Sequence, residues 1–181
     1  ITTRSARARL LGTHIAHAGI LILLVGHVLT TTLVDRTDPS NFVTLERDVP
    51  TQHQGMELVF TGVEVLSADE QGYGYRIGDG YVGVVIEARD VGGSLLGTIT
   101  PGMLRFDSPS GMVSARSEVD RLTGATGDTI VILDLLQSNE LLSSMILGQN
   151  DDVREVRVTV HHLQGSHLVW AGWLLVVTGL S

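Results

Sequence analysis

The feature that most constrains this chain is a run of 25 residues, 10–34, that carries no formal charge. A helix needs about 20 mostly apolar residues to cross the hydrocarbon core of a bilayer. This run contains no proline that would interrupt a helix. A signal peptide is the alternative, because a basic start precedes the apolar run. The run is too long for a signal peptide, and no clear cleavage site of small residues follows it, so we predict a transmembrane helix at 10–34.

Charge is distributed unequally on the two sides of this helix. Residues 1–9 carry three arginines, whereas the rest of the chain carries nine arginines against twenty acidic residues. The positive-inside rule then makes residues 1–9 a basic flank on the cytoplasmic side. The acidic balance, a net charge of −8, argues against nucleic acid as a partner. The absence of cysteine excludes disulfides, thiolate metal sites and a cysteine nucleophile.

A second apolar run lies at residues 168–180, with Trp170 and Trp173 near its start. Thirteen residues are too few to cross a bilayer. Tryptophan is nevertheless typical of the interface between membrane and water. We interpret residues 166–181 as the start of a second transmembrane helix, truncated here, which returns from the outer side.

The intervening residues 35–165 read as a β-rich domain outside the cytoplasm. Apolar residues alternate at 56–60, shift phase across Gly62 as a β-bulge would require, and alternate again at 82–86 and 156–160. Residues 129–136 are rich in β-branched side chains, and glycine-rich turn signals separate these runs. One short helix is predicted at 139–147. The predicted fold class is therefore a mainly β extracytoplasmic domain, sandwich or barrel-like, flanked by transmembrane α-helices.

Histidine carries most of the chemistry in the sequence. His14, His17 and His27 lie within the first apolar run, where ionisable groups are costly and usually face a bundle interior, a cavity or a cofactor. His27 lies about 15 Å along the helix from His17, so the three cannot form one mononuclear metal site. Each is either hydrogen-bonded to a neighbouring helix or an axial ligand of haem iron.

Two other patterns have both a structural and a functional interpretation. Gly12, Gly19 and Gly26 are spaced by seven residues and form one stripe, which allows a second helix or a flat macrocycle to approach the backbone. The cluster of His161, His162 and His167 lacks the spacing of a zinc site, and we expect a solvated strand end there rather than a metal. His53 indicates nothing, and no hydrolytic active site is visible.

Several segments resemble, in the same order, the C-terminal portion of the CcmF family, the haem lyase component of cytochrome c maturation. Residues 12–19, which read GTHIAHAG, and the aliphatic run to Gly26 resemble a late membrane helix of that family. Further similar segments are 43–48, 55–65, 101–106, 117–120, 128–136 and 168–172. This chain departs from the family's usual residues at two positions. Leu168 stands where the family usually has a tryptophan, and Gln164 where it usually has a proline.

This resemblance implies that His17 is an axial ligand of a membrane-embedded haem b, and so a haem-iron ligand. It implies that the opposite ligand and the family's tryptophan-rich segment lie outside this chain, which is therefore not expected to be catalytic by itself. The whole protein would be a multi-pass protein of the cell membrane that handles haem and joins its vinyl groups to apocytochrome c. The haem held by His17 would carry electrons to the substrate haem. Its partners would be haem, apocytochrome c, the haem chaperone and other maturation proteins.

A different class of function is compatible with the same residues. The chain would then be a non-enzymatic, membrane-tethered β domain that binds a partner or scaffolds an assembly. That hypothesis predicts no haem in the purified protein and tolerance of substitution at His17.

Overall fold

The computed structural model describes residues 2–32, 34–74, 76–134, 137, 141 and 153–181, and side chains from residue 9 onward. Contacts divide the chain into two compact units: Ile1–Arg36, Thr123–Thr129 and His162–Ser181 form the first, and Thr37–Leu122 with Ile130–His161 form the second. The first unit is mainly helical. The second is mainly β, as the alternating apolar patterns predict.

The first unit contains two helices, α1 (Thr2–Thr31) and α2 (Ser166–Leu180). Within α1, the segment Arg9–Thr31 has the length and apolar composition needed to cross a membrane. Helix α2 has 15 residues, which is shorter than a span requires. It follows Gly165, whose φ of 76° lies in the left-handed region that glycine adopts without strain.

Helices α1 and α2 pack through the glycine stripe. A Cβ atom built on Gly12 would lie 2.6 Å from the carbonyl oxygen of Gly179, and one on Gly19 would lie 2.8 Å from that of Gly172. At the far end, a Cβ on Gly26 would lie 2.7 Å from the backbone nitrogen of Val169. Partner residue numbers fall as those in α1 rise, so the helices are antiparallel. Of the two interpretations of the stripe, close approach of a second helix is confirmed.

The described part of the chain contains ten strands in two sheets. The strands are β1 (Phe42–Glu46), β2 (Thr51–His53), β3 (Met56–Ser67), β4 (Gly80–Asp90), β5 (Leu95–Ile99), β6 (Gly102–Asp107), β7 (Val113–Glu118), β8 (Asp120–Thr123), β9 (Gly127–Leu133) and β10 (Glu155–Gln164). A four-stranded sheet has the order β1-β10-β9-β8, and a six-stranded sheet has the order β2-β3-β4-β6-β7, with β5 also paired to β4. Short 3-10 turns occur at Pro39–Asn41 and Gln71–Tyr73.

Strand β3 contains the bulge that the apolar phase shift predicts. Phe60 pairs with Ile86 and Gly62 pairs with Val85, so Thr61 is the extra residue. Its hydroxyl donates a hydrogen bond of 3.2 Å to the carbonyl oxygen of Val85. The bulge lets β3 bury Leu58 and Phe60 on one side of it and pack Val63 and Val65 against the same core on the other.

The core of the second unit is aliphatic, with one buried phenylalanine. It contains side chains from strands of both sheets: Leu45, Leu58, Phe60, Val82, Val84, Ile86, Ala88, Ile99, Met103, Val131, Leu133, Val156, Val158 and Val160. The helix predicted at 139–147 lies outside the described residues, except for Leu141, which is buried in this core.

Candidate functional site

The candidate site lies on the exposed face of α1 that carries His17. Leu10, Leu21 and Leu24 are exposed and lie seven residues before, four after and seven after His17. These spacings bring all four side chains to one face of an α-helix. The imidazole of His17 is therefore presented among aliphatic side chains, with His14 on roughly the same side of the helix. This arrangement is suited to a ligand or to a neighbouring helix.

A hydrogen bond determines which nitrogen of His17 carries the proton. The Nδ1 atom lies 2.7 Å from the carbonyl oxygen of Thr13, one turn earlier in the helix. A carbonyl oxygen only accepts, so Nδ1 must donate, and in the neutral ring the lone pair is then on Nε2. A bond from the other ring nitrogen to a backbone carbonyl is the usual way in which proteins orient a metal-binding imidazole. His17 fits the donor requirement of haem iron.

The face of α1 that carries His17 is not the face that packs on α2. Gly19 lies against α2 and is two residues from His17, which places the two about 160° apart around the helix axis. The glycine stripe is therefore filled by a helix, and a macrocycle bound by His17 would lie on the opposite side of α1.

His14 and His27 are also exposed on α1, but they do not join His17 in one site. His14 is three residues from His17 and lies on roughly the same side, whereas His27 is ten residues away, about 15 Å along the axis. Within the described part of the chain, no group of three or more His, Cys, Asp or Glu side chains could hold a metal ion. Any metal bound at His17 therefore needs ligands from beyond these residues or from a cofactor.

The three histidines near the end of β10 have different surroundings in the structure. His161 is only 6% exposed, so the expectation of a solvated strand end is wrong for this residue. The ring of His162 lies 3.1 Å from the hydroxyl of Thr129 through Nδ1 and 3.5 Å from that of Thr126 through Nε2. His167 is exposed in the first turn of α2. Hydrogen bonds to threonine account for His162 without a metal.

The structure contains a second polar cluster that the sequence analysis missed. The guanidinium of Arg76 lies 4.2 Å from the centre of the Tyr81 ring, and its Nε is 3.1 Å from a carboxylate oxygen of Glu118. The Tyr81 hydroxyl donates to the carbonyl oxygen of Thr100. Burial raises the pKa of Tyr81 to about 12. Arg76 and Glu118 are 42 residues apart, so no local motif indicates the pair.

The Arg76–Tyr81–Glu118 cluster is best explained as part of the packing of the six-stranded sheet. Tyr81 forms a small buried group with Tyr73 and Leu104. Its pKa lies far above neutral pH, so the hydroxyl remains protonated there and acts as a hydrogen-bond donor. These properties stabilise the sheet and do not supply a base or a nucleophile.

Comparison with known proteins gives one clear similarity in fold. No family model matches the sequence, and no curated protein does. The solved structure titled "Cytochrome c Heme Lyase CcmF" matches with a TM-score of 0.59 and 17% sequence identity. The match covers 97% of this chain and 24% of that one. The chain therefore has the fold of about a quarter of that protein.

Proposed function

We propose that this chain is a membrane-anchored part of a haem lyase of cytochrome c maturation. The observation that carries the proposal is the geometry at His17, together with a fold similarity to CcmF along nearly the whole chain. The order of the segments agrees with such a role. The packing of α1 on α2 and the position of His17 in α1 agree with it as well.

In this proposal, His17 is an axial ligand of a b-type haem within the membrane. Its Nδ1–H is held by the carbonyl group of Thr13, which orients the ring and leaves Nε2 to bind iron. Leu10, Leu21 and Leu24 lie on the same face of α1 and would give the bound haem an apolar surface. A second protein ligand to the iron would come from outside the described residues.

The haem would supply an electron-transfer centre that keeps the substrate haem reduced. This chain would contribute the orientation of the haem and a low-dielectric environment for it. Close packing of α1 on α2 through Gly19 and Gly172 fixes which face of α1 is available for the ligand.

The β-rich unit would lie outside the cytoplasm, because the three arginines of residues 1–9 favour a cytoplasmic start for α1. From residue 10 onward the chain has nine arginines and twenty acidic residues. Such an acidic surface attracts basic partners over distances of about a Debye length. Apocytochrome c and the haem chaperone are the partners that we propose for it.

Absorbance spectra of the purified full-length protein test the ligand assignment. His17→Ala should remove the reduced b-type haem bands and lower the haem-to-protein ratio. His14→Ala and His27→Ala are matched controls from the same helix and should retain both. A protein that lacks haem even in its native sequence would instead support the membrane-tethered binding module.

A further inference from the structure

The turn between β4 and β5 and the start of β5 expose three large apolar side chains. Residues 91–96, here named the β4–β5 tip, contain no charged side chain. Val91 is 82% exposed, Leu95 60% and Leu96 53%. Exposed apolar clusters of this kind mark sites of contact with another protein or with a membrane.

Hydrogen bonds within the turn define the backbone conformation of the tip. The carboxylate of Asp90 accepts bonds of 2.8 Å from the backbone nitrogens of Gly92 and Ser94. Gly93 has a φ of 83°, which glycine adopts without strain. Asp90 is thereby engaged within the turn, and the apolar side chains are presented by a defined backbone.

Strand registers show at which end of the second unit the tip lies. The chain first enters this unit at Thr37 and finally leaves it at His161. Phe42 pairs with Thr159, so entry and exit are at one end, here named the junction end. The side chain of Gln54 donates hydrogen bonds to the Asn41 side chain, at 3.1 Å, and to the Val160 carbonyl oxygen, at 3.5 Å. The β2–β3 turn is therefore at the junction end too.

The register of β3 and β4 then assigns the β4–β5 tip to the same end. Met56, next to the β2–β3 turn, pairs with Asp90, while Ser67 pairs with Gly80 at the other end of the two strands. Gly80 also pairs with Arg105 near the end of β6. The turn between β6 and β7, residues 108–112, is therefore at the end opposite to the β4–β5 tip.

We propose that the β4–β5 tip inserts its apolar side chains into the interfacial region of the lipid bilayer. The junction end is continuous in sequence with two apolar segments, Arg9–Thr31 and Ser166–Leu180, so the chain connections to both segments leave the second unit at the end that carries the tip. A bilayer accepts uncharged aliphatic side chains at its interface without a specific partner. This inference depends on the membrane placement of α1 in the proposed function and is independent of haem.

The absence of cysteine from the sequence makes site-specific labelling direct. Val91→Cys and Leu96→Cys would each be labelled with an environment-sensitive fluorophore and the full chain reconstituted in phosphatidylcholine vesicles. Doxyl-labelled phosphatidylcholine then reports proximity to lipid, and aqueous iodide reports exposure to water. Met112→Cys is the matched control, because Met112 is 71% exposed in the turn at the opposite end. Leu24→Cys on α1 reports whether the chain is in the membrane.

We expect doxyl lipid to quench the labels at positions 91 and 96 at least about twofold more than the label at position 112, with the reverse order for iodide. Equal, weak doxyl quenching at 91, 96 and 112, with strong quenching at 24, would overturn the inference and leave the membrane placement intact. Labels at 91 and 96 that neither quencher reaches would indicate a protein partner and also overturn it. Weak doxyl quenching at 24 would overturn the membrane placement and the inference together.

Discussion

The backbone of Gly19 in α1 lies directly against that of Gly172 in α2. A Cβ atom on Gly19 would be 2.8 Å from the carbonyl oxygen of Gly172, and one on Gly172 would be 2.7 Å from that of Gly19. Side chains at either position would force the helices apart, because the neighbouring atoms belong to backbone. The contact therefore determines how α1 is rotated and leaves the face with His17 pointing away from α2.

Gly19→Ile should weaken the packing of the two helices. The larger side chain would overlap the backbone of α2, and overpacking of this kind typically costs about 1–3 kcal/mol. Thermal unfolding of the detergent-solubilised chain, followed by far-UV circular dichroism, would show a lower midpoint. Ala18→Ile is the control, since Ala18 is the adjacent and exposed position. Equal midpoints for the two variants would contradict the packing described here.

Gly102→Ala should destabilise the six-stranded sheet. A Cβ at this position would lie 2.6 Å from the Cα of Gly83 and 2.8 Å from the Tyr81 hydroxyl oxygen. We expect a loss of about 1–3 kcal/mol in the free energy of unfolding, measured by chemical denaturation. Gly72→Ala is the control, because its Cβ would meet only the Leu66 side chain, at 3.4 Å. The prediction fails if both variants unfold at the same denaturant concentration.

Tyr81 should make the fold sensitive to alkaline pH. Burial raises its pKa from 10.0 to about 12, so the folded state favours the protonated hydroxyl. Its contribution to stability is complete below pH 10 and is lost as the pH rises toward 12. Tyr81→Phe should remove this part of the pH dependence. In a pH titration followed by tyrosinate absorbance, the component that titrates at the highest pH should be missing from the variant. A variant that keeps this component would contradict the assignment to Tyr81.

His53 should make the fold sensitive to mildly acidic pH. Burial lowers its pKa from 6.5, so the unfolded chain binds the proton more readily than the folded one. The contribution of His53 is therefore complete above pH 6.5 and is lost as the pH falls through the lower, folded value. His53→Gln should show a smaller loss of stability than the native sequence between pH 7.5 and 5.5, about the range in which histidine titrates.

The variant His167→Gln is the control that separates this effect from a general effect of replacing a histidine. His167 is exposed, so its substitution should leave the pH dependence of unfolding as it is in the native sequence. The interpretation of His53 would be wrong if both variants followed the native curve.

Local sequence patterns predicted those parts of the fold that depend on local periodicity. The alternation at 56–60 corresponds to β3, the alternation at 82–86 to β4, and the phase shift at Gly62 to the bulge within β3. Strand β7 carries no such signal, because the side chains of residues 113–116 are all exposed. The pairing of β1 with β10 joins segments more than 100 residues apart in the chain, which periodicity does not encode.

The candidate site shows the same division between local and long-range information. Seven-residue spacing identified the glycine face of α1, but the spacing allowed either a helix or a macrocycle there. Only the position of α2 assigns that face to a helix. The bond between His17 and the Thr13 carbonyl is local, yet it depends on the side-chain rotamer, which the sequence does not specify.

Ligand replacement at position 17 tests the central claim most directly. The full-length protein with His17→Gly would be purified with and without added imidazole and its reduced absorbance spectrum recorded. If Nε2 of His17 binds the haem iron, the variant should lose the low-spin b-type spectrum and regain it when imidazole fills the space left by the side chain. A native spectrum in the variant without imidazole would show that the iron has another ligand and would contradict the account.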